Sequence, residues 1–222
     1  MELFHGNQKG EIVKLSVILP TYNRPKLVTK MLDNIFRQTF RQAEIFFIGD
    51  CCPHYDKIIR SLWFSEKLAQ WIMSGGTFIM KNDTVHRGLS GVAVNYAVAK
   101  ATGEYFMFLG DDDSIASMHF ENYLKYIDGT DYDMVAIPSL CDLPEPSVID
   151  IRIPRWEYAR VGDSEVIVRT SVLKKSPPRD NQYAHDWRMI EWIINNGYKK
   201  TIELLAQPTY IVRGMPHNKI KE

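Results

Sequence analysis

Residues 104–113 read Glu-Tyr-Phe-Met-Phe-Leu-Gly-Asp-Asp-Asp, a nearly continuous apolar run that ends in three adjacent carboxylates. A short run that is apolar on both faces is typical of a strand buried in a parallel sheet. The small residues at 92–99 suit a helix that lies close against such a sheet, and Gly103 ends that helix. The stretch therefore predicts a strand of a covered α/β sheet with an acidic carboxyl end.

The same order of strand, polar turn and helix is found toward the amino terminus. Runs rich in β-branched or aromatic residues predict strands, and apolar residues at helical spacing predict helices. The predicted strands are 15–19, 44–48 and 77–80, and the predicted helices are 27–36 and 55–71. We expect an open, mainly parallel sheet, in which ligands bind beyond the carboxyl ends of the strands. Three of these ends are polar, at 20–24, 49–53 and 110–114.

After residue 137 the pattern changes, because several prolines interrupt short alternating runs. The runs 148–153 and 165–168 predict short antiparallel strands, and 186–196 predicts a helix ended by Gly197. Strand-like runs follow at 201–205 and 209–212, and 174–180 is predicted to be a mobile loop. We expect one domain over 1–222, with a first half at about 14–137 and a smaller lobe at about 138–218. The sequence is also compatible with one domain of a longer protein.

The composition excludes several classes of protein. Apolar residues make up 45% of the 222 residues and charged residues 24%, which excludes a disordered chain or a coiled coil. The 27 basic and 27 acidic residues cancel, which disfavours nucleic-acid binding through phosphate contacts. Three cysteines without disulfide or zinc spacing, and no run near the ~18 apolar residues of a transmembrane segment, predict a cytoplasmic protein. Peripheral attachment to a membrane stays open.

The acidic triplet at 111–113 is the strongest chemical signal. Adjacent carboxylates repel one another, and a divalent ion that also binds substrate phosphates would relieve the repulsion. The alternative is a solvated acidic turn that caps the next helix through Asp113 or Ser114. The position directly after a buried strand favours the metal.

Two other strand ends carry candidates for nucleotide binding. Asp50 is placed to accept a hydrogen bond from the imide N–H of uracil or thymine, although an ordinary turn residue is the alternative. The turn after the first strand is predicted to shape a base pocket, with Tyr22 as an apolar wall. Its candidate residues are Pro20, Thr21, Tyr22 and Arg24.

Three further residues have a functional and a simpler interpretation. Arg87 lies in a glycine-containing stretch that opens a helix, where phosphate can bind, although no known phosphate fingerprint is matched. Asp186 at a predicted helix start is either an N-cap or a general base for an acceptor hydroxyl. His217 is either a metal or phosphate ligand or a solvated tail residue.

The order of these motifs resembles the family 2 glycosyltransferases with the GT-A fold over about residues 14–218. The motifs are Pro-Thr-Tyr-Asn-Arg at 20–24, Gly-Asp-Cys-Cys at 49–52, His-Arg-Gly at 86–88, Asn95, Gly-Glu-Tyr at 103–105, Asp-Asp-Asp at 111–113 and His-Asp-Trp at 185–187. The ordered set is far more specific than any single motif.

The resemblance implies a GT-A sheet and a metal-dependent, inverting transfer of one sugar. The implied donor is a nucleotide diphosphate sugar of UDP or dTDP type, and the acceptor is a hydroxyl of a glycan or glycoconjugate. Asp186 is implied as the catalytic base. The implied nucleotide-sugar-binding residues are Pro20, Thr21, Tyr22, Arg24, Asp50, Arg87, Asp111 and Asp112. The implied ligands of Mn²⁺ or Mg²⁺ are Asp113, Asp111 and His217.

The sequence departs from the family pattern at four places. Gly49 and Gly110 stand where an Asp is frequent, Cys51-Cys52 replaces Gly-Ser, and His185 replaces Glu. The Gln-x-x-Arg-Trp motif is missing, which favours a single transfer over processive synthesis. Two alternatives stay open: a nucleotidyltransferase that makes sugar nucleotides, and a binding module that has lost turnover.

Overall fold

The computed structural model describes residues 3–5, 14–83, 90–142, 149–180 and 184–213. The strands are β1 (Leu3–His5), β2 (Leu15–Thr21), β3 (Ala43–Asp50), β4 (Thr77–Asp83), β5 (Tyr105–Phe108), β6 (Ser114–Ile115), β7 (Met134–Ala136), β8 (Ser139–Asp142), β9 (Ile149–Arg152), β10 (Val166–Arg169), β11 (Lys200–Ile202) and β12 (Tyr210–Arg213). The helices are α1 (Pro25–Phe36), α2 (Tyr55–Ile59), α3 (Leu62–Met73), α4 (Gly91–Lys100), α5 (His119–Ile127), α6 (Thr170–Leu173) and α7 (His185–Asn195), and a 3₁₀ turn covers Asp163–Glu165. No helix in these ranges is long and apolar enough to cross a bilayer.

The main sheet has eight strands in the order β1-β4-β3-β2-β5-β10-β7-β11. The pairs β2–β3, β2–β5, β3–β4 and β7–β11 are parallel, whereas β1 and β10 run antiparallel to their neighbours. A second sheet has the order β6-β12-β8-β9. The prediction of an open, mainly parallel α/β sheet is confirmed.

Helices cover both faces of the main sheet, which explains why its strands are apolar throughout. Val17 and Leu19 of β2 face α1 and α3, whereas the intervening Ile18 faces α4 and α7. The two faces thus form two clusters of fully buried side chains. Alternating residues of one strand feed both clusters.

The structure differs from the predicted elements in three places. The predicted helix 55–71 is two helices, because Ser61 caps α3 by accepting a hydrogen bond from the Phe64 N–H at 3.2 Å. The run predicted as a strand of the second lobe, 165–168, is β10 and lies inside the main sheet between β5 and β7. The predicted loop 174–180 is anchored at Arg179, whose backbone exchanges two hydrogen bonds with the side chain of Asn95, at 2.7 and 2.8 Å. The two halves of the chain therefore share one sheet.

A buried carboxylate joins three segments at the amino edge of the parallel strands. Glu44 of β3 accepts hydrogen bonds from the Ser16 hydroxyl, from the Thr102 N–H (2.5 Å) and hydroxyl (2.9 Å), and from the Gly103 N–H (3.1 Å). A Cβ at position 103 would lie 2.6 Å from the backbone nitrogen of Ser16. Only glycine lets the chain after α4 approach β2 this closely.

Candidate functional site

The polar turns after β2, β3 and β5 meet at the carboxyl edge of the sheet and line a cavity of about 260 Å³, here called the outer cavity. Seven of its residues were predicted to bind the nucleotide sugar: Pro20, Thr21, Tyr22, Arg24, Asp50, Asp111 and Asp112. Ser90, Ala93 and Gly110 complete the lining. These seven predicted residues are thus brought together in space, as expected for the strand ends of an open α/β sheet.

Asp111 is the most buried carboxylate of the outer cavity, with 6% of its surface exposed. The Thr21 hydroxyl donates to its Oδ2 at 2.7 Å, and Arg24 Nη1 donates to its Oδ1 at 2.9 Å. Burial raises the pKa of Asp111 above its ordinary value, and the bonds from Thr21 and Arg24 oppose that rise. Thr21 and Arg24 therefore favour the ionised form of a carboxylate whose burial disfavours it.

Arg24 supplies positive charge to the acidic triplet. Its Nη1 also donates to Asp112 Oδ2 at 2.7 Å, so that one guanidinium bridges two carboxylates. The side chain is 42% exposed and follows Asn23, whose φ of 51° turns the chain before Pro25 opens α1. The guanidinium of Arg24 is consequently accessible to solvent and to a ligand. The sequence identified Arg24 as a binding residue but did not predict these ion pairs.

Asp113 points away from Arg24's bridge and toward the second sheet. The hydroxyl of the buried Tyr210 on β12 donates to Asp113 Oδ2 at 2.5 Å and accepts the Gly110 N–H at 3.0 Å. A Cβ at position 110 would lie 2.6 Å from Asp113 Oδ2, which explains why glycine replaces the frequent Asp there. The alternative of a capping role is wrong, because α5 begins after Met118 with no side-chain cap.

The loop after β3 is shaped by Asn82, which the sequence did not single out. The Asn82 side chain accepts the Cys52 N–H at 2.8 Å and donates to the Cys52 carbonyl at 3.2 Å. A Cβ at position 49 would lie 2.4 Å from Asn82 Oδ1, so the close packing requires Gly49. Cys51 has a φ of 48° in this loop, directly after Asp50. The side-chain amide of Asn82 thus fixes the conformation of the loop after β3, and no sequence motif indicated this role.

A second cavity of about 190 Å³, here called the inner cavity, adjoins the first and shares Pro20, Ser90 and Gly110 with it. Asp113, Asp163 and Ser164 line its far side. Asp163 and Ser164 reach this edge because β10 runs antiparallel, which puts the turn before it where the parallel strands end. No local pattern in the sequence pointed to Asp163.

Asp186 lies half-buried in the first turn of α7 and is close enough to Asp163, which lines the inner cavity, for the two charges to interact. The N-cap position belongs to Ala184, with a φ of 62° and no side-chain hydrogen bond, so Asp186 is not the N-cap. Burial and the negative charge of Asp163 raise the pKa of Asp186, while His185 and Arg179 oppose the rise. A carboxylate of this kind takes up protons more readily than a solvated one.

His185 and Arg179 connect α7 to the cavity walls. His185 lies 3.3 Å from the Ser90 hydroxyl through Nε2 and 3.4 Å from Arg179 Nη1 through Nδ1. Arg179 Nη1 also donates to Asp163 Oδ2 at 2.6 Å. Burial, and then the charge of Arg179, lower the pKa of His185. Sequence analysis placed His185 in a motif but missed Arg179.

Two predicted residues, Arg87 and His217, lie outside the described residues. Within the described part of the chain, no group of three or more His, Cys, Asp or Glu side chains is arranged to hold a metal ion. Mg²⁺ in phosphate sites commonly uses only one or two protein carboxylates, with substrate oxygens completing the shell.

Comparison with known proteins gives one family. Residues 16–142 match the model of glycosyl transferase family 2. The minor teichoic acid biosynthesis protein GgaB of Bacillus subtilis is 31% identical over 136 residues, which are 60% of this chain and 14% of that protein. TarS of Staphylococcus aureus, a poly(ribitol-phosphate) beta-N-acetylglucosaminyltransferase, is 27% identical over 57% of this chain and 21% of its own length. The chain thus spans about a fifth or less of these two relatives.

Solved structures show the same fold. TarS 1–349 in complex with UDP-GlcNAc matches with a TM-score of 0.68 and 21% identity, over 91% of this chain and 59% of that one. The mannosyltransferase PcManGT of Pyrobaculum calidifontis, in complex with GDP-Man and Mn²⁺, matches with a TM-score of 0.64 and 16% identity, over 92% and 58%. Since the family model covers more than half of the 222 residues and the sheet is that of GT-A enzymes, this chain belongs to glycosyl transferase family 2.

Proposed function

We propose that this protein transfers a single sugar, with inversion, from a UDP- or dTDP-type nucleotide sugar to a hydroxyl of a glycan or glycoconjugate. The carrying observation is the continuity of the site. The outer cavity, lined by the predicted nucleotide-binding residues, shares Pro20, Ser90 and Gly110 with the inner cavity. The wall of the inner cavity carries Asp163, whose charge acts on Asp186. Together the cavities reach the size of small-molecule sites, roughly 300–1,000 Å³.

The outer cavity suits the nucleoside diphosphate. Asp50 at the end of β3 offers an acceptor for a pyrimidine imide N–H, and Tyr22, 41% exposed, offers a ring face beside it. Arg24 offers an exposed cation to the diphosphate, and Arg87 is assigned the same role on sequence grounds. The inner cavity then receives the sugar.

Asp112 and Asp113 are more accessible to a divalent ion than Asp111 is. Asp111 is buried, with 6% of its surface exposed, whereas Asp112 and Asp113 are half-buried, although they too accept hydrogen bonds, from Arg24 and Tyr210. The next two carboxylates border the outer and the inner cavity, which is where a diphosphate joining the two would lie. We assign Mn²⁺ or Mg²⁺ to Asp112 and Asp113, with His217 as a third candidate ligand. The ion would neutralise charge on the departing diphosphate.

Asp186 is the proposed base for the acceptor hydroxyl. Its raised pKa brings its proton affinity closer to that of a working base, because catalytic efficiency peaks when the pKa approaches the operating pH. The carboxylate needs to reach hydrogen-bond distance of the hydroxyl only when the acceptor is bound. The names of GgaB and TarS support an acceptor of the teichoic acid or poly(ribitol-phosphate) class.

The test combines binding with turnover. Calorimetric titration with UDP, dTDP, GDP and UDP-GlcNAc, each with and without Mn²⁺, should give metal-dependent binding of a pyrimidine nucleotide. Asp186→Asn should keep the donor affinity and lose transfer by about 10²–10⁴-fold, the usual contribution of a general base. Asp56→Asn, at a 67% exposed position on α2, is the matched control and should keep both.

Three results would contradict parts of this proposal. Full transfer by Asp186→Asn would remove the base assignment. Donor binding without transfer to any acceptor would favour the non-catalytic binding module. A folded protein that binds none of the four nucleotides would overturn the donor class.

A further inference from the structure

Arg179 carries a buried charge that the fold alone does not explain. Only 4% of its side chain is exposed, and its guanidinium lies 4.3 Å above the ring of Phe108. Nη1 donates to Asp163 at 2.6 Å, but within the described residues Nη2 has no hydrogen-bond partner. A buried ion pair is weak evidence for stability, because desolvation offsets most of the attraction. The ion pair alone therefore does not account for the burial of this arginine.

The backbone of Arg179 is fixed on the sheet side by α4. Asn95 accepts the Arg179 N–H at 2.8 Å and donates to the Arg179 carbonyl at 2.7 Å. The long side chain consequently starts from a defined point and reaches Asp163 across the base of α7. Asn95, one of the residues of the family motifs, thus has a structural role: its two hydrogen bonds fix the backbone of Arg179.

His185 extends the arrangement to the donor side. An arginine N–H can only donate, so Nδ1 of His185 must accept from Arg179 and Nε2 must carry the proton that faces Ser90. Ser90 lines both cavities. The ring of His185 thus ties the first turn of α7 to the wall of the donor site, through hydrogen bonds at 3.3 and 3.4 Å.

The positive charge of Arg179 offsets the negative charge of Asp163 that acts on Asp186. Asp163, in the 3₁₀ turn, is the negative neighbour, and Arg179 is the positive one; His185 is the adjacent titratable group. Arg188, two residues after Asp186 on α7, pairs with Asp180. Two carboxylates that share a site cannot both ionise readily without a nearby cation.

We propose that Arg179 is a positioning residue for Asp186: it holds the first turn of α7 through His185 and Asp163, and it supplies the cation that lets both carboxylates stay ionised. The inference rests on the proposed function, in which Asp186 is the base. It predicts that Arg179 and Asp163 affect the base in opposite directions.

Loss of Arg179 or of Asp163 should move the acid limb of the plot of kcat/KM against pH. In Arg179→Met the unpaired Asp163 repels Asp186, so Asp186 should require a higher pH to ionise, by about one pH unit. In Asp163→Asn the repulsion disappears, so the limb should move to lower pH by a similar amount. The double variant should return toward the wild type, and Arg179→Lys, which keeps the charge, should rescue the limb.

The experiment measures kcat/KM for the acceptor against pH and, on the same proteins, the ¹³C carboxyl titration of Asp186. The Asp186 signal is assigned by its loss in Asp186→Asn. Donor affinity, measured by calorimetry, should stay within about threefold of the wild type in Arg179→Met and Arg179→Lys, since Arg179 lines neither the outer nor the inner cavity. Arg60→Met, which removes a 76% exposed cation just after α2, is the matched control and should shift nothing.

Opposite shifts in both readouts support the role of Arg179. Equal losses of activity, without opposite displacement of the Asp186 titration, would show a purely structural residue and overturn it. If Arg179→Met fails to fold, Asp163→Asn and Arg179→Lys carry the test. A wild type that transfers no sugar would overturn the proposed function, whereas titrations that do not move oppositely overturn the inference whether or not the wild type is active.

Discussion

Two buried carboxylates lie at opposite edges of the same sheet and are held in different ways. Glu44 at the amino edge is 4% exposed, and its four hydrogen bonds come from neutral hydroxyls and backbone N–H groups. Asp111 at the carboxyl edge is 6% exposed, yet its partners are one hydroxyl and the exposed cation of Arg24. Burial is nearly equal, so the difference lies in the partners.

The partners decide what each carboxylate can do. The donors around Glu44 belong to strands and to the chain between α4 and β5, so they cannot move without disturbing the sheet. The main partner of Asp111 is a long side chain on a turn, which can exchange a carboxylate for a ligand phosphate. The amino edge therefore serves stability, and the carboxyl edge keeps interactions that a ligand can replace.

The largest expected effect is on stability at the amino edge. Glu44→Ala leaves several buried donors without an acceptor, which should lower the free energy of unfolding by about 3–5 kcal/mol. Glu44→Gln, which keeps one acceptor oxygen, should cost less. Denaturant unfolding measures both, and nucleotide affinity of the folded fraction should stay unchanged. An affinity loss as large as the stability loss would break the contrast between the edges.

The next effect concerns His119, which supports the carboxyl edge from behind. The ring is fully buried against Tyr210, and burial lowers its pKa to about 3. Because the unfolded chain binds this proton below about pH 6.5, stability should fall as pH drops from 6.5 toward 3, by about 2 kcal/mol at pH 5. His119→Gln should show a flatter pH dependence in chemical unfolding. Parallel curves for variant and wild type would contradict this.

A smaller effect is expected when Asp111 loses its charge. Asp111→Asn should weaken nucleotide binding about tenfold, or 1.4 kcal/mol, because Arg24 loses the partner that orients it. Folding stability should change by less than about 1 kcal/mol, since burial already disfavours the charged form. Calorimetry and unfolding on the same preparation separate the two quantities. A large loss in the free energy of unfolding with unchanged nucleotide affinity would show that Asp111, like Glu44, serves stability.

The smallest effect is expected at Thr21. Thr21→Val removes one hydrogen bond to Asp111 and should weaken nucleotide binding by about 0.5–1 kcal/mol. Thr21→Ser keeps the hydroxyl and should bind as the wild type does. Calorimetric titration of the two variants side by side is the measurement, and equal losses in both would point to packing instead.

Sequence patterns predicted the elements that local physics decides. The apolar runs of β2, β3 and β5 identify these strands as buried, whichever strands they pair with. Because the three strands are parallel, the turns that follow them meet at the carboxyl edge of the sheet. The position of β10 was missed, because its three apolar residues do not specify which strands lie beside them. The break at Ser61 carried a usable signal, a capping serine inside the predicted helix.

The site was predicted in its residues but not in its pairings. Arg24 and Asp111 lie 87 residues apart, and which cation meets which carboxylate depends on how the strands are ordered. Asn82 and Asp163 escaped notice because single polar residues outside motifs have no periodic signature. Gly49 and Gly110, which stood out as departures from the family pattern, are explained by the side chains packed against them.

The placement of β10 has a consequence for synthesis of the chain. Among the described strands of the main sheet, β7 pairs only with β10 and β11, both of which follow it in the sequence. When β7 emerges from the ribosome it cannot yet join the sheet next to β5, because β10, which lies between β5 and β7, has not been made. The parallel strands β2 to β5 can assemble early, but the sheet closes only when residues 166–169 arrive between two strands already made. The same stretch carries Asp163, so the inner cavity gains its far wall only after β7 has been made.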